Sequence, residues 1–222
     1  MGGGNHIVKI FLDTADITTI QEMKEMGLAD GITTNPTLIA KTGRKFDEVI
    51  KDICAIIDGP VNAEVTATTA EGILEEARKI RRWGDQIVIK IPMNREGLRA
   101  VWRLSEEGIP TTVTLIFSVP QAILAAKAGA RYLCPFVGRL DDISEDGLSL
   151  AADIAMVLGQ YPDWTCEIMA ASIRHPLHVV DAARAGVDVI TIPPKVIDQM
   201  LLHPLTDRGI EQFLKDAKLC YS

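Results

Sequence analysis

Residues 86–92 read QIVIKIP, and this stretch decides the fold. Ile87, Val88, Ile89 and Ile91 run without polar alternation, which is the pattern of a strand buried on both faces, as in a parallel sheet covered by its own crossovers. Seven more runs rich in Val, Ile and Thr share this character: VKIFLDT (8–14), DGITT (30–34), VNAEVTA (61–67), TTVTLI (111–116), RYLCPFV (131–137), TCEIMAA (165–171) and VDVITIP (187–193). All eight read as strands. Helical stretches lie between them. Phe46, Val49, Ile50, Ile53, Ile56 and Ile57 form a one-sided apolar stripe of helical period. A Thr-x-x-Glu capping box (Thr68, Glu71) opens the next helix, whose Ile73, Leu74, Ala77 and Ile80 point inward. Residues 94–107, 118–129, 147–160, 175–185 and 194–202 repeat the alternation. Strand-helix units in one chain wind right-handed and parallel, and eight of them close into an α/β fold, a single (β/α)8 TIM barrel. A doubly wound, flavodoxin-like sheet is the alternative. The predicted organisation is a flexible leader over 1–7, a barrel over 8–204 and an extra C-terminal helix over 205–222, expected to pack on a neighbouring subunit.

Composition narrows the function. With 222 residues, 47% hydrophobic and 24% charged, the chain suits an ordinary globular domain. The formal net charge of -7 argues against a nucleic-acid binder or a polybasic membrane protein, though a local arginine cluster could still hold a small anion. No apolar run approaches the roughly 20 residues of a membrane span. Cys54, Cys134, Cys166 and Cys220 are too dispersed for a zinc knuckle or a redox pair. MGGGNHIVKI at the start has no signal-peptide pattern and KLCYS at the end is no prenylation box, so a cytoplasmic location is expected.

Catalytic groups of such a barrel sit at the C-terminal ends of its strands, so polar residues inside apolar runs are the ones to find. Lys90 interrupts Ile87–Pro92. Desolvation disfavours an ammonium, which makes a buried lysine amine a candidate nucleophile that attacks carbonyls to form a Schiff base. The plainer readings are a lysine snorkelling from the strand end or paired with Glu64. Asp13 ends the first strand, Glu64 sits within the third and Thr114 within the fifth, so the polar groups gather at one mouth. A carboxylate there would move the protons that Schiff-base chemistry requires. Arg139 in VGRLDD, with Ser172 and Arg174 in AASIRHP, forms a second, cationic group suited to phosphate. Its plainer reading pairs Arg139 with Asp141 or Asp142. His175 and His178 stand at helical spacing without a third ligand, so no metal site is expected.

FLDTAD (11–16), GITTNPTL (31–38), AEVTATTAEG (63–72), IVIKIPM (87–93), GIPTTVTLIFS (108–118), CPFVGRLDD (134–142) and AASIRHP (170–176) resemble the transaldolase family, most of all its short-chain members, a group that includes fructose-6-phosphate aldolases. The resemblance spans about residues 8–217. It implies a (β/α)8 barrel, Schiff-base chemistry with no metal or other cofactor, sugar phosphates as partners, and a homodecamer of two stacked pentamers whose C-terminal helices reach their neighbours. By position it makes Lys90 the Schiff-base lysine and Asp13 the base for the C4 hydroxyl. Glu64 and Thr114 would hold the proton-shuttling water. Thr33 and Asn35 would bind the dihydroxyacetone moiety, and Arg139, Ser172 and Arg174 the phosphate.

The family's aldolases carry Gln where Glu64 stands and Tyr where Phe136 stands, a phenol that helps protonate the enamine. Glu64 and Phe136 therefore imply transfer of a dihydroxyacetone unit, from fructose 6-phosphate or sedoheptulose 7-phosphate, rather than its release. An aldolase is the alternative, and a silent sugar-phosphate-binding barrel a third reading that Lys90, Asp13 and Glu64 oppose. Thr112 replaces a frequent Asn and Cys134 a frequent Ser, both expected to line the site. They are either neutral or a retuning toward another terminal anion, such as the sulfonate of 6-deoxy-6-sulfofructose.

Overall fold

The computed structural model describes residues 7–220. Eight strands, β1 (Lys9–Asp13), β2 (Gly31–Thr33), β3 (Val61–Glu64), β4 (Ile87–Pro92), β5 (Thr111–Ile116), β6 (Tyr132–Pro135), β7 (Glu167–Ala170) and β8 (Val189–Ile192), close in sequence order into one barrel. Every pair is parallel, and β1 meets β8 through Ile10 and Ile190. The doubly wound alternative is thereby set aside. Helices α1 (Ile17–Glu25), α2 (Pro36–Lys41), α3 (Phe46–Ile56), α4 (Ala70–Arg81), α5 (Arg95–Glu106), α6 (Val119–Lys127), α7 (Val137–Asp141), α8 (Gly147–Leu158), α9 (Pro176–Arg184) and α10 (Pro194–Leu201) follow the strands, and α11 (Pro204–Cys220) ends the described chain. Of the expected leader, only Ile7 lies within the described residues.

Continuous apolar strands arise here because the barrel has two cores. Residues facing outward, among them Leu12, Ile32, Ala63, Ile89, Ile91 and Leu133, pack against the helix shell. Residues facing inward, Phe11, Val88, Tyr132, Cys134, Met169, Ala171 and Val189, fill the interior with Phe136 above them. Gly31 is dictated by this filling: a Cβ there would lie 2.7 Å from the Phe11 ring and 2.7 Å from the Pro60 carbonyl. Side chains alternate along a strand, so residues two apart share a face. Phe11 and Asp13, Val88 and Lys90, and Val189 and Thr191 thus put an apolar group low in the barrel and a polar one toward its C-terminal mouth.

Most helices start as their sequences dictate. Asp16, Asn35, Asn94, Ser118 and Asp146 each accept a backbone N–H from their own first turn. The start of α4 corrects the sequence reading by one residue: the cap is Thr69 rather than Thr68, with an extended backbone and a side chain that accepts the Gly72 N–H. Two neighbouring threonines make either a plausible cap, and the helix starts after the second. Helix α11 buries nothing, and Leu205, Ile210, Phe213, Leu214 and Leu219 stand exposed. Among the described residues no helix is long and apolar enough to cross a membrane.

Candidate active site

The register of the barrel puts Glu64 of β3 beside Lys90 of β4. Their side chains meet inside: Lys90 Nζ lies 3.0 Å from Glu64 Oε2, with only 5% of the lysine side chain exposed. The ammonium also donates to the Thr34 carbonyl at 3.2 Å. Lys90 therefore does not snorkel. Its pairing with Glu64, the plainer sequence reading, is present, but it is made within the barrel mouth.

Next to β3 in the barrel, β2 pairs with β1, and their register puts Asp13 beside Thr33. Thr33 Oγ1 donates to Asp13 Oδ1 at 2.9 Å and contacts Thr191 Oγ1 at 2.5 Å. Burial pushes the Asp13 carboxyl above its ordinary value, and the opposing pulls of the Lys90 charge and the Thr33 hydrogen bond are weaker. This carboxyl is thus biased toward its protonated form, which suits a group that must both take and return a proton.

Two cavities meet at Lys90. One, of about 200 Å³, is lined by Asp13, Thr33, Asn35, Lys90, Cys134, Phe136, Arg139, Ser172 and Arg174, with Thr191 and Pro193 from the end of β8. The other, of about 350 Å³, has Glu64, Thr114 and Leu115 on its far wall and shares Asn35, Lys90, Phe136 and Arg139 with the first. The Thr114 hydroxyl is buried and has no oxygen or nitrogen partner among the described residues, only the Cys134 thiol nearby. Beside it the β5–β6 register shifts between Val113 and Ile116, and Leu115 adopts a left-handed backbone, φ 61°. Strain of this kind collects where side chains are aimed at a ligand.

Asn35 caps α2 with its Oδ1, which accepts the Leu38 N–H at 2.9 Å, and so keeps its amide NH2 for a ligand. Cys134 is fully buried, and desolvation pushes its thiol up to about 12. It stays neutral at physiological pH. Thr112 is placed lower than the sequence suggests: it is fully buried, lines neither cavity, and donates to Asn62 Oδ1 at 2.5 Å. Asn62 in turn donates to the Ile32 carbonyl at 3.2 Å. Asn62 and Thr112 form a polar floor beneath Glu64 and Thr114, each two residues lower on the same strand. Asn62 and Thr191 escape a reading of the sequence although both interrupt apolar strands, Asn62 two residues before Glu64, a signal that could have found them.

The cationic group is assembled by α7 and the loop after β7. Arg139 lies over the Phe136 ring, its guanidinium carbon 4.8 Å from the centroid, and has no ion-pair partner among the described residues. It is Arg174 that pairs with Asp142, at 2.8 Å, which corrects the pairing the sequence suggests for Arg139. The reason is packing across the chain: a Cβ on Gly138 would lie 2.1 Å from the Ser172 carbonyl, so the loop bearing Ser172 and Arg174 is pressed against α7. That loop turns through Ser172 in the left-handed region, φ 62°.

The model of the family described as Transaldolase/Fructose-6-phosphate aldolase matches residues 10–220, a span that contains every residue of this site. The chain belongs to this family. Among curated relatives, the "Probable transaldolase" of Caldicellulosiruptor saccharolyticus is 57% identical over 209 residues, covering 94% of this chain and 96% of that protein. The "Probable transaldolase" of Anaeromyxobacter sp. is likewise 57% identical, and that of Methanococcus maripaludis 56%, each with 94% of this chain and 97% of the relative covered. The protein is thus an enzyme of the transaldolase type. Two solved structures at low identity show likeness in the fold alone. A mandelate oxidase mutant with a monooxide FMN adduct superposes with TM-score 0.58 at 14% identity over 85% of this chain. The inosine 5' monophosphate dehydrogenase of Legionella pneumophila superposes with TM-score 0.60 at 14% identity over 86%. This chain spans only 64% and 58% of those two.

Proposed function

We propose that the enzyme transfers a dihydroxyacetone unit from a ketose phosphate to an aldose phosphate through a Schiff base on Lys90. The observation that carries this reading is a lysine amine buried in the barrel mouth, 3.0 Å from the Glu64 carboxylate and lining one cavity with Asp13, whose carboxyl burial raises above its ordinary value. The Lys90 amine, once deprotonated, attacks C2 of fructose 6-phosphate. The carbinolamine loses water with Glu64 and Thr114 handling the proton through a bound water. Asp13, as carboxylate, takes the C4 hydroxyl proton as the C3–C4 bond breaks. Glyceraldehyde 3-phosphate leaves and the electron pair stays as an enamine on Lys90. C3 of that enamine then attacks the aldehyde of erythrose 4-phosphate, and Asp13 returns its proton to the new hydroxyl. Hydrolysis frees sedoheptulose 7-phosphate and the amine.

Arg139, Ser172 and Arg174 line the end of the smaller cavity and are assigned to the phosphate, while Thr33 and Asn35 are assigned to the dihydroxyacetone hydroxyls. Transfer is favoured over release because Phe136 presents a bare ring, 6.0 Å from the Phe117 ring and beneath Arg139, and offers no phenol to position a protonating water. The position of Thr112 below the cavity removes one of the two departures that point to a sulfonated donor. Helix α11, with its exposed apolar residues, is assigned to contact with a neighbouring copy in a decamer. Four unpaired cysteines support a reducing, cytoplasmic setting. The test is turnover of fructose 6-phosphate with and without erythrose 4-phosphate. Glyceraldehyde 3-phosphate formed in step with sedoheptulose 7-phosphate supports transfer, and equal turnover without the acceptor refutes it.

A further inference from the structure

His178 stands in the first turns of α9, only 7% exposed, and both its ring nitrogens are engaged. Nδ1 accepts the backbone N–H of Arg174 at 3.2 Å. Nε2 lies 2.8 Å from Asp141 Oδ2. An Nδ1 that accepts must be unprotonated, so the ring proton sits on Nε2 and is donated to Asp141. The other Asp141 oxygen accepts the Gly147 N–H at 3.0 Å, which ties the end of α7 to the start of α8. One imidazole therefore joins the two segments that carry the cationic group: α7 with Arg139, and the strained loop with Ser172 and Arg174.

We propose that His178 is a positioning residue for the phosphate end of the substrate, holding the 172–174 loop on α7 while neutral and releasing it when protonated. The inference rests on the assignment of Arg139, Ser172 and Arg174 to the phosphate. A second ring proton would have to sit on Nδ1, facing the Arg174 N–H, donor against donor. The groups facing the ring are Asp141 from α7, Arg174 from the loop, and His175 at the N-cap of α9, its ring centroid 3.8 Å away. Burial first, and then His175, lower the His178 value below its ordinary 6.5, so the ring is neutral at physiological pH. Binding of phosphorylated sugars is therefore intact at neutral pH and is lost as pH falls through the His178 value.

The test measures the concentration of fructose 6-phosphate, and of phosphate-free dihydroxyacetone, that half-saturates borohydride trapping at Lys90. Wild type, His178→Ala, His178→Asn and Arg139→Ala are compared between about pH 5.5 and 8, the range in which histidines titrate. Loss of one loop-fixing hydrogen bond in His178→Ala should lower the preference for fructose 6-phosphate over dihydroxyacetone by about tenfold. In His178→Asn, Oδ1 stands where Nδ1 stood, so most of the preference should return. This variant's fructose 6-phosphate curve should also rise less at low pH than the wild type's. The phosphate's own ionisation, near pKa 6, acts on both proteins alike and drops out of the comparison. Equal weakening of both ligands in His178→Ala, or identical pH profiles for wild type and His178→Asn, would overturn the proposal. If Arg139→Ala weakens fructose 6-phosphate and His178→Ala does not, the positioning role alone fails. If neither does, the phosphate assignment fails and takes the proposal with it.

Discussion

Replacing Asp13 with Asn separates the chemistry of this group from its structural role. The Asn Oδ1 can still accept the hydrogen bond that Thr33 makes to Asp13 at 2.9 Å, so the local geometry is retained while the proton acceptor is lost. Loss of a positioned acid/base costs about 10²–10⁴ in rate, or roughly 2.7–5.5 kcal/mol of transition-state stabilisation. Steady-state transfer between fructose 6-phosphate and erythrose 4-phosphate should fall by that factor. Schiff-base formation, which does not need Asp13, should continue. Borohydride reduction of the variant with fructose 6-phosphate should then leave a six-carbon phosphorylated adduct on Lys90, because the C3–C4 bond is not cleaved.

Stability provides an independent check on the same residue. Burial raises the folded Asp13 carboxyl above its unfolded value, near the ordinary 3.8. The wild-type fold is therefore most favoured, as far as this group goes, below the unfolded value, and loses that advantage as pH rises through the folded one. Asn has no charge to desolvate. The melting temperature of Asp13→Asn minus that of wild type should become more positive from about pH 4 upward. Turnover within tenfold of wild type, a three-carbon adduct on the variant, or a difference of the opposite sign would refute the reasoning.

Arg139→Ala should raise the KM for fructose 6-phosphate by roughly ten- to 150-fold, the equivalent of the ~1.5–3 kcal/mol of a charge-assisted hydrogen bond, in steady-state assays. Phe136→Tyr should increase glyceraldehyde 3-phosphate release without an acceptor by about tenfold, the effect of one well-placed hydroxyl, measured in a coupled NADH assay. Gly31→Ala forces a methyl against the Phe11 ring and the Pro60 carbonyl, each 2.7 Å away, and should cost about 1–3 kcal/mol, seen as a drop of several degrees in thermal melting.

The barrel is legible in the sequence because burial on two faces leaves a plain mark: strands such as β4 need apolar residues both inward and outward, and a run like IVIKIP fits little besides a strand covered on both sides. Lys90, Asp13, Glu64 and Thr114 are legible for the same reason, since each breaks such a run. Short elements are not. Helix α2 has six residues and buries only Ile39, and α7 has five, so neither carries a helical period long enough to read. Contacts across elements are also hidden. The Arg174–Asp142 pair and the Asp141–His178 bridge join residues 32 and 37 apart in sequence, and only the packing of α7 against the loop and α9 brings them together. Thr112 is a site residue by the family resemblance, and its spacing from Thr114 puts both on one face, but neither determines its depth in the barrel.

The central claim is that Lys90 carries a three-carbon unit between two sugars, and borohydride reduction of the wild-type enzyme with fructose 6-phosphate, read by intact mass and peptide mapping, tests it most directly. The account predicts a dihydroxyacetone-derived adduct on the peptide containing Lys90 that is depleted when erythrose 4-phosphate is added before the reductant. An adduct on another lysine, or one on Lys90 that the acceptor leaves undiminished, would contradict it.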